Sequence, residues 1–430
     1  LATTLLFTVN IIGIFLVLVV DYFDIKGAKI LKLGYMTTLI YGGVVLASGY
    51  KFVYGANGIM TKILVSIFPN FNAGWFEGYG AVAFVMTFAI TSNHVIFLSN
   101  AIRKIDYSTI EAAKNMGASQ FYILRKVVLP VLKPTIYAIT VLLYITGLGA
   151  TSAPLIVGGK KFQTIGPMIL TFSQTVSSRD LAAVLALILG IATLILLSFM
   201  IYFERKGNFM SVSKTKSVIV KQKINNPLIN IIVHLFAYLL FFIYIIPVIF
   251  VIIFSFTNSR SISSGAITGF TFQNYIDVFS SFDVLKPFVT SVFYSAGASI
   301  LVVILTLGVS RILHKYKNIW ALILEYMMLI PWVLPSTLIA IGLITAFDKK
   351  NILAFNNILT GTIWLLLIAY VIVKIPFSLR MLKATFFSID NELEEAATSL
   401  GASPFYTFRK VIFPIILPSA MAILALNFNS

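Results

Sequence analysis

The sequence predicts an all-α, polytopic membrane protein made of two homologous transmembrane helical bundles. Three observations carry this: scarce charge, recurrent apolar stretches of spanning length, and a segment that occurs twice. Of 430 residues, 59% are hydrophobic and 11% charged, and mean hydropathy is +0.96. A soluble domain keeps roughly a quarter of its residues charged because its surface faces water. Most residues here must face lipid or one another. Lipid offers no partner to an unpaired backbone group, so the spanning segments are expected to be helices. The chain has no cysteine, which excludes a disulfide framework and any thiolate metal site.

Apolar runs near the roughly 20 residues needed to cross a bilayer core recur along the chain. They fall at about 1–20, 33–54, 77–97, 131–150, 182–203, 228–256, 287–309, 319–347, 360–378 and 415–430. That makes about ten spans. Leu1 is not an initiator Met, and both ends lie within apolar sequence. The intact protein is therefore expected to have about twelve spans, six per half.

Charge sets the expected orientation. The net charge is +17, and of 32 Lys and Arg about 23 fall in alternate loops: Lys26–Lys32, Arg103–Lys133, Arg205–Lys223, Arg311–Lys317 and Arg380–Lys410. Lysine and arginine accumulate in cytoplasmic loops, so that side is assigned to the cytoplasm. The excess is accounted for without a nucleic-acid partner. Between Glu204 and Asn226 the chain is rich in Ser, Lys and Asn and lacks apolar periodicity, as a linker does. The expected organisation is a first half at 1–206, a cytoplasmic linker at 207–227 and a second half at 228–430.

The repeat lies in two of those basic loops. Ile105 to Pro134 reads IDYSTIEAAKNMGASQFYILRKVVLPVLKP, and Ile389 to Pro418 reads IDNELEEAATSLGASPFYTFRKVIFPIILP. A constant offset of 284, without a gap, matches about half of some thirty positions, as a duplicated unit would. An even number of spans separates the copies, so the repeat is parallel. Each copy is expected to form two short helices joined by a turn. Ser108 with Glu111, and Asn391 with Glu394, suit the first helix start. Gly117 and Gly401 suit a left-handed helix end. Ser119 and Ser403 suit the next cap, with Pro404 at its first position, and Pro130 and Pro414 are expected to bend the chain into the following span. The pairs Ala112–Ala113 and Ala396–Ala397 leave a small docking face, beside which Glu111 and Glu395 offer carboxylates to an Arg.

The pattern Glu111-Ala112-Ala113, Gly117-Ala118-Ser119 and Pro130, repeated as Glu395-Ala396-Ala397, Gly401-Ala402-Ser403 and Pro414, resembles the EAA loop of binding-protein-dependent ABC importer permeases (type I). The resemblance implies that Glu111, Ala112, Ala113, Gly117, Glu395, Ala396, Ala397 and Gly401 couple the chain to a cytoplasmic ABC ATPase dimer. That family's loop docks as a helix, here near 107–117 and 391–401. It further implies an extracytoplasmic substrate-binding protein, a bacterial inner-membrane location, and no enzyme activity on this chain. Many relatives are two separate permease chains, whereas here both are joined, so a homodimeric ATPase is expected. Thr151 to Gly159, Phe270 to Tyr275 and the fusion itself resemble ferric-iron permeases. Fused thiamine permeases and polyamine or phosphonate permeases look similar, so ferric iron is the substrate this resemblance implies, with those as alternatives.

No G-x-x-x-x-G-K-[ST] motif occurs, so ATP and Mg are expected on the partner, and this chain is expected to hold no cofactor or metal. Glu77 and Glu325 are expected at span ends, Glu325 snorkelling or paired with a base. His94, His234 and His314 lack the paired spacing of a metal site. Pro331 and Pro335 would break a helix within the membrane, making 319–347 a candidate to line a path. The competing class is a gradient-driven carrier, which needs a buried acid chain that is not evident here.

Overall fold

The computed structural model describes residues 1–102, 105, 107–160, 162–206, 220–265, 267, 269–334, 336–387, 389 and 392–429. Among the described residues the chain is helical, with isolated bridges in place of strands. Among the described residues, seven helices are long and apolar enough to cross a bilayer: Ala2–Tyr22, Tyr79–Ser99, Arg179–Leu196, Pro227–Ser255, Phe282–Lys315, Ile363–Phe387 and Pro404–Asn429. Three further apolar helix pairs are bent: Ala28–Leu39 with Gly43–Ile67 by 114°, Gln120–Lys133 with Thr135–Leu148 by 56°, and Ile319–Trp332 with Ser336–Phe347 by 105°. Counting each bent pair once gives ten.

The chain packs into two compact units whose membership interleaves along the sequence: 1–171 with 195–276, and 172–194 with 277–430. In the first unit, Ala2–Val17 packs on Tyr79–Ile90, Ser92–Ile102 and Leu129–Leu148. Pro227–Ser255 packs on Ala28–Met36 and Gly43–Tyr54. Small residues permit the close approach that drives helix association in lipid. At Gly34 a Cβ would lie 2.2 Å from the Phe241 ring, and at Gly49 one would lie 2.9 Å from the Pro247 carbonyl. Polar side chains complete the contact, with Tyr35 Oη donating to Ala237 O at 2.7 Å.

In the second unit, Phe282–Lys315 packs on Ile363–Phe387 and Phe413–Asn429. Val303, Leu382, Phe386, Ile412, Ile416 and Ile423 form the core there. Asn427 Nδ2 donates to Ser378 Oγ at 2.8 Å across two of these helices. The Arg179–Leu194 stretch belongs to this unit, and Gly190 approaches Leu338 so closely that a Cβ would sit 2.8 Å away. Pro331 lies within Ile319–Val333, and the bend follows two residues later. The expectation about Pro335 lies outside the described residues.

Candidate functional site

Each repeated loop folds as a knuckle of two short helices. The first copy has Tyr107–Asn115 and Gln120–Ile123, and the second Glu392–Ser399 and Pro404–Thr407. Gly117 and Gly401 adopt φ of 79° and 82°, the left-handed region that only glycine enters cheaply. Gly117 N donates to Lys114 O at 2.9 Å and Ala118 N to Ala113 O at 3.0 Å. Gly401 N donates to Thr398 O at 2.9 Å and Ala402 N to Ala397 O at 3.1 Å. This paired closure is a Schellman motif, which uses up carbonyls a helix end would otherwise leave bare. Nothing surrounds the missing Cβ of either glycine, so backbone conformation alone demands it. Ser119 Oγ accepts from Tyr122 N at 3.3 Å, and Ser403 Oγ accepts from Tyr406 N at 3.3 Å.

Two expectations need correcting. The first knuckle helix begins at Tyr107, so Ser108 lies inside its first turn and does not serve as the N-cap. The cap position there, and Asn391 in the second copy, fall outside the described residues. Glu394 stands third in its helix, in the first turn, and its expected partner Asn391 lies outside the described residues. The Glu394 carboxylate takes two hydrogen bonds from Arg311, one from Nη1 and one from Nη2 at 2.7 Å. Pro130 and Pro414 each stand second in their helix, directly after π turns at Leu124–Val128 and Phe408–Ile412. A proline ring clashes with the carbonyl four residues before it, and a wide π turn reroutes that carbonyl. The 56° bend in the first copy lies further on, between Lys133 and Thr135, and Pro404–Asn429 runs as one span.

Ala113 and Ala397 are buried against their own unit, while Ala112 and Ala396 face outward. Glu111, Gly117, Glu395 and Gly401 are exposed as well. Beside them stand apolar side chains that composition alone did not single out. Met116, Phe121 and Tyr122 are 81%, 71% and 55% exposed, and their equivalents Leu400, Phe405 and Tyr406 are 89%, 73% and 57% exposed. The Phe-Tyr pair is retained in both copies, and that retention was the available signal. Such matched apolar knobs, rimmed by Arg125 and Lys126 in one copy and Arg409 and Lys410 in the other, are what a docking surface presents.

The remaining candidates resolve locally. Glu325 is paired with Lys383, Oε1 to Nζ at 2.5 Å. Asp21 is paired with Lys32 at 3.0 Å and accepts a further bond from Ser99. His94 is buried, with Nε2 3.1 Å from Asn10 Oδ1, and His234 Nδ1 lies 2.8 Å from Asn230 O. His314 stacks near Phe386 and Phe387. Among the described residues, no three His, Asp or Glu gather as a metal site would require.

Comparison with known proteins gives the same reading. Residues 2–205 and 304–430 match the family described as binding-protein-dependent transport system inner membrane component. The chain is 40% identical over 430 residues to "Probable ABC transporter permease protein y4fN" of Sinorhizobium fredii, covering all of this chain and 75% of that protein. It is 23% identical over 394 residues to "Ferric transport system permease protein FbpB" of Actinobacillus pleuropneumoniae, covering 89% of this chain and 55% of that one. It is 31% identical over 126 residues to "Probable sulfate transport system permease protein cysT" of a Helicosporidium species, covering 28% of this chain and 47% of that one. The chain thus spans about half the length of the ferric relative it matches. Repeated knuckles, apolar spans and these similarities agree: the chain is a multi-pass inner-membrane protein belonging to the binding-protein-dependent transport system inner membrane component family, as a type I ABC importer permease.

Proposed function

We propose that this permease forms the translocation path of an importer, takes substrate from an extracytoplasmic binding protein, and is driven by a separate cytoplasmic ABC ATPase dimer. The observation that carries this is the recurrence of one exposed knuckle on the basic side, with three matched apolar side chains in each copy. A partner that presents two equal grooves fits two equal knuckles, so the ATPase is a homodimer that binds ATP and Mg itself. Glu111 and Glu395 offer unburied carboxylates to a basic group on the groove rim. Ala112 and Ala396 keep the approach close, and Ala113 and Ala397 seat each knuckle on its own bundle. Gly117 and Gly401 hold the turn that aims the apolar triplet. The halves 1–206 and 228–430, joined by 207–227, each supply one knuckle.

Transport then follows an alternating-access cycle, in which ATP-driven closure of the partner moves both knuckles and rigid helices carry the motion outward. Ferric iron is the substrate best supported, because likeness to the ferric relative extends over 89% of this chain, against 28% for the sulfate relative. Co-purification of the chain with its ATPase tests the coupling role directly. Association should disappear when Gly117 and Gly401 are both replaced by bulky residues, and uptake driven by an ion gradient alone would refute the proposal. Competition of labelled ferric iron against sulfate for uptake decides the substrate.

A further inference from the structure

We infer that residues 220–226 form a strap that positions the first knuckle and ties it to the Pro227–Ser255 span. The inference rests on the coupling reading above and adds a positioning role for the chain that links the two halves. Gln222 is the centre of the contact and only 3% exposed. Its N–H donates to Tyr22 O at 2.8 Å, and its carbonyl accepts from Asp24 N at 2.9 Å. Its side-chain oxygen accepts from Lys114 Nζ, on the last turn of the first knuckle helix. Lys221 Nζ donates to Val20 O at 2.8 Å. Gln120, the first residue of the second knuckle helix, donates to Lys223 O and accepts from Asn225 N at 3.2 Å. Asn226 then caps Pro227–Ser255, accepting from Leu228 N at 3.0 Å and Ile229 N at 3.3 Å.

A buried polar side chain is stable only where its hydrogen bonds are met, and removing a partner exposes the full desolvation penalty. The strap meets that condition at both ends. It bonds to each knuckle helix, to the end of the first span, and through Asn226 to a helix from the other half of the sequence.

The second knuckle lacks the residues for such a contact. The equivalents of Lys114 and Gln120 are Thr398 and Pro404. Thr398 Oγ1 donates within its own helix, to Glu394 O at 2.8 Å. Proline has neither a side-chain amide nor a backbone N–H to offer. In turn Glu394 and Arg311, which hold the second knuckle, are replaced in the first copy by Ile110 and Gly27. The exchange is reciprocal: each copy carries the residues for its own anchor and not those for the other.

Movement of the first knuckle is therefore passed to Pro227–Ser255 as well as to the spans of its own half. Through the strap, residues 220–226 become a transmitting element at the first coupling site.

The double variant Lys114→Thr, Gln120→Pro tests this by installing the second copy's residues, with proline at a first helical position that accepts it. The full chain is used, reconstituted with its ATPase and binding protein. Hydrogen exchange is read across 220–226, and uptake is read per ATP hydrolysed. In the unaltered chain the amides of Gln222 and Asn225 should exchange more slowly than a free peptide, and the double variant should raise their rate by about tenfold. Uptake per ATP should fall by about fivefold while the ATPase remains bound through its apolar contacts. The reverse pair, Thr398→Lys with Pro404→Gln, should leave hydrogen exchange across 220–226 unchanged, because those residues make no contact with the strap in the second copy. Rapid exchange of 220–226 in the unaltered chain would overturn the strap, as would unchanged uptake per ATP in the double variant. Failure of the unaltered chain to bind an ATPase would instead refute the coupling reading, leaving hydrogen exchange to judge the strap by itself.

Discussion

The two knuckles have almost the same backbone and are held in place by different chemistry. Their glycines differ by 3° in φ, their closing hydrogen bonds differ by no more than 0.1 Å, and their exposed triplets match within 8% of full exposure. Behind that common face, the first copy uses hydrogen bonds to residues 220–226, from the Lys114 ammonium and through the Gln120 amide, without an ion pair among the described residues. The second uses the Arg311–Glu394 ion pair, with the guanidinium also 5.9 Å from the Phe408 ring. Duplication preserved the exposed face and let the anchoring contacts behind it diverge. The lesson is that the outward face is the constrained part, as a shared partner would require.

The comparison breaks most severely if the shared turn is removed. Replacing both Gly117 and Gly401 by tryptophan forces L-residues into a left-handed conformation costing about 1–2 kcal/mol each. It also puts bulk where the partner must approach, so ATPase co-purification should be lost. Gly→Asn at both sites, which tolerates that conformation better, should retain most of it. Retention in the tryptophan variant would show that the turn has no role at the interface.

Truncating the apolar triplet should have the next largest effect. Phe121→Ala and Phe405→Ala should each weaken ATPase affinity by about 1–2 kcal/mol, by the usual scale of buried interface aromatics. Equal losses measured by titration would sharpen the symmetry of the face, and a loss at one site only would break it.

Arg311→Ala should loosen the second knuckle alone. The pair is partly exposed, so the expected loss is about 1 kcal/mol, read as faster hydrogen exchange across 392–399 with 107–115 unchanged. Arg311→Lys should not restore it, because a lysine cannot supply the two parallel bonds.

The smallest effect is with pH. The hydrogen bond from Arg311 holds the Glu394 carboxyl below the usual carboxylate range. A depressed folded-state pKa gives stability that is present above the unfolded value, about 4.3 for glutamate, and lost as pH falls through the folded one. Protection across 392–399, taken relative to an unstructured peptide at the same pH, should therefore stay flat from neutral pH down to that range and fall only below it. The first knuckle has no such pair among its described residues and should show no corresponding step.

Much of this was legible in the sequence, and the gaps have physical reasons. Ten apolar stretches were readable because bilayer thickness fixes their length. The 114° and 105° bends were less so, since composition is the same on both sides of a break. Glycine and serine in the knuckles announced their turns because those turns depend on local backbone chemistry. Ser108 misled by two positions, which is within the usual uncertainty of a helix end. Arg311 could not be linked to Glu394, because 83 positions separate them and only tertiary packing joins them. Phe121 and Tyr122 recur in both copies, but their exposure comes from the folded loop and not from the sequence. The repeat reveals ancestry, and ancestry does not say which span packs where.

That last point bears on synthesis. A ribosome delivers residues 1–171 before 195–276, yet both belong to one compact unit. Domains generally fold in the order they emerge, but here the earlier unit stays open until Pro227–Ser255 has been inserted. Meanwhile 172–194 waits in the bilayer for 277–430. Each unit is completed by a segment lying across the other's sequence. A nascent chain halted between the halves would hold two unfinished bundles and no finished one.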